Sequence, residues 1–378
     1  MANSTYALSG RLEVGIQING TDFPLDTFNL LNFLQIGWTT RTNLPTCHFA
    51  ISDVRHTLDN LSLQDGIPLT ITIAPYGQAT TTYNFRKFNH VKTFNGQCFQ
   101  YEIDGYLDNP LFWTGTVTAG FTGTSGDLMS SVASKCGMTY DGVQTADSQL
   151  WLPRNRTYGE WTSFVVPRGY IDDSSCMVAG VDPTGAGKLI YKNVTNLPDP
   201  TVTVVFGQQV SGSLTCSNYA PAASSGMGNK FQGYQHTRYG QSMTSATPST
   251  AMSQMTFTPD VSGYYLNTDI SQQIGQGYRT FGGIDVGNTH EKYDQAIYQN
   301  RRLASLYSLG VEFLMMSPSS LTLLDKFTFQ VDNETQKQDL PYAGTYTIGA
   351  KALFIQGGTY AEKLLGIRMG TMQPYVAA

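Results

Sequence analysis

Apolar residues recur at every second position in short runs along both ends of the chain. Leu12, Val14, Ile16 and Ile18 form one such run, followed by Ile67, Leu69, Ile71 and Ile73, then Phe99, Tyr101 and Ile103. The same period returns at Val202, Val204 and Phe206, at Phe327, Phe329 and Val331, at Tyr346, Ile348, Ala350, Ala352 and Phe354, and at Leu365, Ile367 and Met369. A period of two turns one side-chain row toward a core and the other toward solvent, which predicts antiparallel strands with one buried face.

Two of these regions repeat each other. Leu61-Ser-Leu-Gln-Asp-Gly-Ile-Pro-Leu-Thr-Ile parallels Leu321-Thr-Leu-Leu-Asp-Lys-Phe-Thr-Phe-Gln-Val, with Asp65 matching Asp325. About thirty residues later Phe94-Asn-Gly-Gln-Cys-Phe99 parallels Ile355-Gln-Gly-Gly-Thr-Tyr360, so that Gly96 matches Gly357 and Phe99 matches Tyr360. Both are glycine turns leading into alternating strands. The spacing between copies stays at 260 or 261 residues. The expectation is a mainly β protein with an α+β insert: two related antiparallel β-barrel domains, the second split by an insertion.

Between the copies the period changes. Leu128, Met129, Val132, Ala133 and Cys136 share a helical face behind Ser125 as N-cap, with Gly137 as the stop. Thr157-Tyr-Gly-Glu160 reads as a capping box for a second helix carrying Trp161, Phe164 and Val165. Ser175–Val181 and Lys188–Lys192 form a hairpin around Asp182-Pro-Thr-Gly-Ala-Gly187. The boundaries follow: a first tube-like barrel over 1–110, a small α+β domain over 111–200, and a second barrel from 201–239 plus 310–378. Residues 240–309 form a loop-rich insertion of weak periodicity that ends in a helix over Glu291–Leu309.

Composition narrows the function classes. Only 13% of residues are charged, and Thr, Ser, Asn, Gln and Gly fill the polar positions. A surface of neutral polar groups suits a protein that buries much of itself against partners, and equally a plain β-rich protein with Thr-heavy strands. The net charge of −5 comes without any Lys/Arg block, which disfavours specific nucleic-acid binding. The start, Met1-Ala-Asn-Ser-Thr, has neither a basic stretch nor an apolar core, and no apolar run reaches a membrane-spanning length; synthesis in a cytoplasm is expected. Cys47, Cys98, Cys136, Cys176 and Cys216 are scattered and odd in number, as buried thiols would be.

No motif carries chemistry. Gly185-Ala-Gly-Lys188 lacks the first glycine and the Ser or Thr of a phosphate loop, and a strand follows it. His48, His56, His90, His236 and His290 stand apart from one another and from paired Cys, so no metal site is expected. Asp172-Asp173, or Glu102 with Asp104, could be nominated for glycoside hydrolysis, but only their proximity marks them. The expectation is a protein that is not an enzyme and holds no cofactor. The 22 Tyr, 19 Phe and 4 Trp suit interfaces, carbohydrate stacking and plain sheets equally.

The order of barrel, small α+β insert and split barrel resembles the baseplate hub proteins of contractile-tailed phages and the hub region of VgrG spike proteins. The stretches that carry the similarity are Gly126–Tyr140, Asp147-Ser-Gln-Leu-Trp151 running to Trp161, Lys188-Leu-Ile-Tyr191, Ala343-Gly-Thr-Tyr-Thr-Ile-Gly-Ala, Leu353-Phe-Ile-Gln-Gly-Gly-Thr-Tyr and Leu365-Gly-Ile-Arg-Met-Gly. The resemblance implies a homotrimer whose two barrels per chain make a pseudo-hexameric ring in the virion baseplate. It would join a six-fold tail tube protein to a three-fold central spike protein, with tape-measure and baseplate wedge proteins as further neighbours. No needle or β-helix repeats follow the second barrel, a departure from VgrG that implies a separate spike polypeptide. Asp65, Gly96, Phe99, Asp325, Gly357 and Tyr360 are the interface candidates. A receptor- or carbohydrate-binding tail protein and a tail-tip peptidoglycan hydrolase are the alternatives.

Overall fold

The computed structural model describes residues 6–8, 12–26, 29–40, 42–61, 63–75, 78–172, 174–207, 212–222, 234–241, 250–257, 279–283, 309–331 and 342–368. The first unit contains β1 (Tyr6–Leu8), β2 (Leu12–Ile18), β3 (Thr21–Phe23), β4 (Asn29–Thr39), β5 (Thr42–Asp53), β6 (Pro68–Pro75), β7 (Thr81–Phe94) and β8 (Phe99–Leu107). Its strands lie in the order β1-β2-β6-β7-β8-β5-β4, all antiparallel, with β3 beside β2. The alternation read from the sequence is the cause: Leu12, Val14, Ile16, Ile18, Leu69, Ile71, Ile73, Tyr101 and Ile103 all point inward and are buried.

The insert comprises α1 (Pro110–Thr114), β9 (Phe121–Gly123), α2 (Ser125–Lys135), β10 (Thr139–Gly142), β11 (Gln149–Trp151), α3 (Tyr158–Val165), β12 (Met177–Asp182) and β13 (Lys188–Asn193). It has its own core around Leu128, Met129, Trp151, Trp161, Val165, Leu189 and Tyr191. Thr157 and Glu160 cap α3 reciprocally, as their spacing predicts. In α2 the cap is Thr124 with Asp127, one residue earlier than expected. Ser125 is drawn inside instead, where its hydroxyl donates to Asp147 Oδ2 at 2.6 Å.

The second unit is built from β14 (Val202–Phe206), β15 (Leu214–Ala222), then, after a separate three-stranded sheet of β16 (Tyr234–Gln241), β17 (Thr250–Phe257) and β18 (Arg279–Gly283), from β19 (Leu309–Met315), β20 (Lys326–Val331), β21 (Gly344–Gln356) and β22 (Thr359–Arg368). The stretch 240–290, read as loop because its apolar spacing is weak, thus carries two strands that the pattern does not announce. Of the helix expected over 291–309, only Leu309 lies among the described residues, and it opens β19. Six strands close into a barrel, β14-β20-β21-β22-β19-β15 and back to β14. Phe313, Phe327, Phe329 and Tyr346 fill it, with ring centroids 4.7–6.4 Å apart.

The strand orders of the two units coincide. β2-β6-β7-β8-β5-β4 of the first matches β14-β20-β21-β22-β19-β15 of the second, the only difference in direction being that β14 runs parallel to its neighbours where β2 is antiparallel. Local irregularities recur at the same places. Bulges interrupt β7 at Phe88 and β21 at Gly349, and β4 at Asn32 and β15 at Ser217. Gly105 and Gly366 occupy one position on β8 and β22; a Cβ on either would strike the core, Cys47 and Phe85 in one unit, Phe313 and Tyr346 in the other. These matches hold the 261-residue spacing (88 and 349, 105 and 366).

At β6 and β20 the structural spacing falls to 258, two less than the 260 of the sequence match around Asp65 and Asp325. Gly66 and Leu324, both with positive φ, bond through N–H to the carbonyls of Lys87 and Ile348, whose own N–H groups return to Ile67 and Asp325. Asp65 and Asp325, matched by sequence, therefore occupy different places. A shift of two keeps side chains on the same faces, so the alternation could not reveal it.

The phase of the last two strands also departs from the pattern. The Gly349 bulge reverses β21, so that Lys351, Leu353 and Ile355 are buried beyond it while Ala350, Ala352 and Phe354 lie on the opposite face. On β22 the inward positions are Tyr360, Glu362, Leu364, Gly366 and Arg368, not Leu365 and Ile367. Two charged side chains turned inward hid this face; Met369 lies outside the described residues.

Candidate functional site

The two units meet along one strand pair. β4 of the first lies antiparallel against β21 of the second, from Thr39 opposite Ala350 to Phe33 opposite Gln356. The Gly349 bulge makes this possible. Before it β21 pairs with β20 through Phe329–Lys326, and after it the same edge passes to β4. The freed Gly349 carbonyl accepts from the Thr40 N–H at 3.0 Å and from the hydroxyls of Thr39 and Thr40.

A buried ion pair stands behind this seam. Lys351 is 6% and Glu362 2% exposed, with Nζ 3.1 Å from Oε2. The ammonium also donates to the carbonyls of Leu321 and Ser319 and to the Ser319 hydroxyl. The carboxylate accepts from Ser319 N–H, the Ser319 hydroxyl and the Tyr360 hydroxyl. A buried pair is tolerated when its remaining valences are met in this way. It forms part of the wall of a cleft of about 550 Å³ between the units and the insert, with Trp38, Tyr83, Asp182 and Lys188. Burial, reinforced by the charges of Asp182 and Glu362, pushes the Tyr83 hydroxyl well above its ordinary range.

The second surface is the hairpin of β7 and β8. β6 pairs with β7 only from Thr81 to Arg86. From Phe88 to Phe94 no described strand flanks β7 on that side, while β8 accompanies it to the turn. Phe88, Val91 and Phe94 on this overhang are 50%, 47% and 62% exposed, a concentration of apolar surface on an open strand edge. The turn is stiff: Asn95 Oδ1 accepts from the N–H groups of Gln97 and Cys98, and Gly96 supplies φ +91°. Beneath the hairpin Lys92 sits 4.0 Å over the Phe99 ring and donates to Asp59, which also accepts from Tyr101. Hydrogen bonds from Lys92 and Tyr101, with a smaller one from His56, hold the Asp59 carboxyl down at about 2.

The six candidates separate on this geometry. Gly96 and Phe99 belong to the exposed hairpin. Asp65 lies at its base, 76% exposed, accepting at 2.6 Å from the wholly buried Lys87, which holds its carboxyl below the usual range. Gly357 makes the β21–β22 turn with Gly358, both at positive φ. Tyr360 is 3% exposed and serves the Glu362 network, and Asp325 accepts from Thr322 N–H at the entry to β20. Tyr360 thus offers no surface, while Asp325 is half-buried. The overhang arises because β7 outruns its neighbour, 14 residues against 8 in β6, and no sequence signal marks where β6 stops.

Gly185–Lys188 is the turn of the β12–β13 hairpin. His48 meets Asp104 at 2.7 Å on a strand face, and His56 meets Asp59. Among the described residues no group of three His, Cys, Asp or Glu could hold a metal, and no helix is long and apolar enough to cross a membrane. In the insert, buried Asp147 accepts from Ser125 N–H and hydroxyl, Thr145 hydroxyl and Tyr170 N–H, which ties α2 to the following loops.

No protein-family model and no curated protein matches the chain. Solved structures do. The 43 kDa tail protein of prophage MuSo2 from Shewanella oneidensis superposes with a TM-score of 0.62 at 10% identity, covering 95% of this chain and 98% of that one. The tail protein from Neisseria meningitidis MC58 gives 0.62 at 9% identity, covering 96% and 98%. A chain of the Francisella PdpA–VgrG complex gives 0.51 at 9% identity; the match covers 97% of this chain and 54% of that longer one. Over nearly its whole length the chain has the fold of these two tail proteins, shared with a chain of a VgrG complex.

Proposed function

We propose that this chain is the structural hub of a phage tail baseplate, three copies forming a pseudo-hexameric ring that joins the six-fold tail tube to the three-fold central spike. The observation that carries the reading is the pair of six-stranded units with one strand order, set side by side by β4 and β21, in the fold of tail proteins. Three such chains offer six similar units around an axis, which is what a ring between six-fold and three-fold partners requires. The ring is a scaffold with no reaction assigned to it. The insert (111–200) and the 240–309 segment face outward on this account, toward other baseplate proteins. The test is light scattering on the purified chain, alone and with its spike protein. A trimer is expected in at least one state; a strict monomer in both overturns the proposal, and saturable glycan binding by that monomer would favour a receptor-binding role.

A further inference from the structure

The joint between the units inside one chain joins one strand edge of each unit. In the second unit, the part of β21 beyond its Gly349 bulge gives its outer edge to β4 of the first unit. In the first unit, the matching part of β7 lies beyond its Phe88 bulge, and its outer edge meets no described strand. The partner that this edge would take is whatever corresponds to β4, and in the second unit that is β15. Both β4 and β15 run antiparallel to the strand that follows them in the sheet, β5 and β19, and both bulge at the same position, Asn32 and Ser217. β14 covers only Leu214, Thr215 and Cys216 of the far edge of β15.

We propose that β7 of one copy pairs antiparallel, through residues 91–94, with β15 of a neighbouring copy, residues 219–222. This inference rests on the ring reading and names its contact. Transferring the β4–β21 register through the bulges sets Val91 opposite Ala222, Lys92 opposite Pro221, Thr93 opposite Ala220 and Phe94 opposite Tyr219. Pro221 has no N–H, so this joint has one donor fewer than the internal one. The contact is heterologous: each copy gives a β7 edge and receives on β15, so it passes from copy to copy and makes the ring when the rotation closes at three. It covers the open edge at Val91 and Phe94, which a free monomer would leave as a site of uncontrolled strand addition. The Asn95 turn and the Asp59–Lys92–Tyr101 contacts hold the hairpin in shape for its partner.

The test is disulfide trapping in the full chain with Cys98→Ser as background. Thr93→Cys and Ala220→Cys face each other in the proposed register, within the span a disulfide bridges. Combined in one chain and oxidised, they are expected to give covalent dimers and trimers, while either alone gives none. Light scattering on the same samples separates the two levels of the argument. A trimer whose two cysteines both react with maleimide yet never cross-link overturns the strand pairing and leaves the hub standing. A bridge formed within one chain also overturns it. A monomer, alone and with the spike protein, removes both.

Discussion

The Lys351–Glu362 pair allows the seam to be tested by arithmetic. Glu362→Leu leaves the ammonium 6% exposed with only three neutral acceptors, and orphans the Tyr360 hydroxyl and Ser319 N–H. Breaking one side of a buried pair costs roughly 3–5 kcal/mol. Lys351→Met is expected toward the lower end of that range, because the carboxylate keeps three donors. The double variant removes both charges and fills the space, so about 1–3 kcal/mol remains for the orphaned hydroxyl and amide. The singles should therefore couple by roughly 2 kcal/mol or more in a double-mutant cycle. A chain with several units does not unfold in two states, so the assay is hydrogen exchange of β4, β21 and β22 peptides rather than a global midpoint. Protection in Glu362→Leu should fall by about 10² or more, since about 1.4 kcal/mol is tenfold, with most of it restored in the double variant. A loss below about tenfold, or a double variant that simply adds the singles, would refute the claim that this pair holds the seam.

Three further outcomes follow from named contacts. Gly105→Ala and Gly366→Ala should each destabilise by about 1–3 kcal/mol, because the new Cβ meets packed side chains in both units; hydrogen exchange of β8 and β22 peptides in which only one variant loses protection would break the equivalence of the two positions. Asp147→Ala strips an acceptor from four buried donors and should open the insert first, at roughly 1–3 kcal/mol for each main-chain N–H left unpaired; limited proteolysis should cut 111–200 before the barrels, and equal sensitivity would contradict this. Because the Asp59 carboxyl in the fold lies near 2, below its ordinary 3.8, its contribution is complete above about pH 4 and lost as pH falls toward 2. Asp59→Asn should flatten that part of the acid melting curve, read by circular dichroism, and an unchanged slope would show that the clamp under the hairpin does not matter.

How far the sequence was legible depended on whether side-chain phase and backbone path agreed. The strands of the first unit were readable because Leu12–Ile18 and Ile67–Ile73 alternate without interruption, and the α3 cap was readable because Thr157 and Glu160 bond only locally. β21 and β22 were misphased where a one-residue bulge at Gly349 and two inward charges, Glu362 and Arg368, broke the apolar rule. The repeat was visible as turns and leucines, but its register near Asp65 and Asp325 slid by two because only hydrogen bonds fix it. The overhang of β7 was unreadable as a site, since exposure depends on where β6 stops. Asp325 and Tyr360 were chosen for their repetition, and repetition here records packing as often as contact.

The central claim is that both six-stranded units of every copy stand in one ring. A cryo-electron microscopy map of the assembled baseplate tests it most directly. The account predicts three copies contributing six units around the tail axis, with β4 and β21 joining units within a copy. A map placing either unit outside the ring, or a copy number other than three, would contradict it.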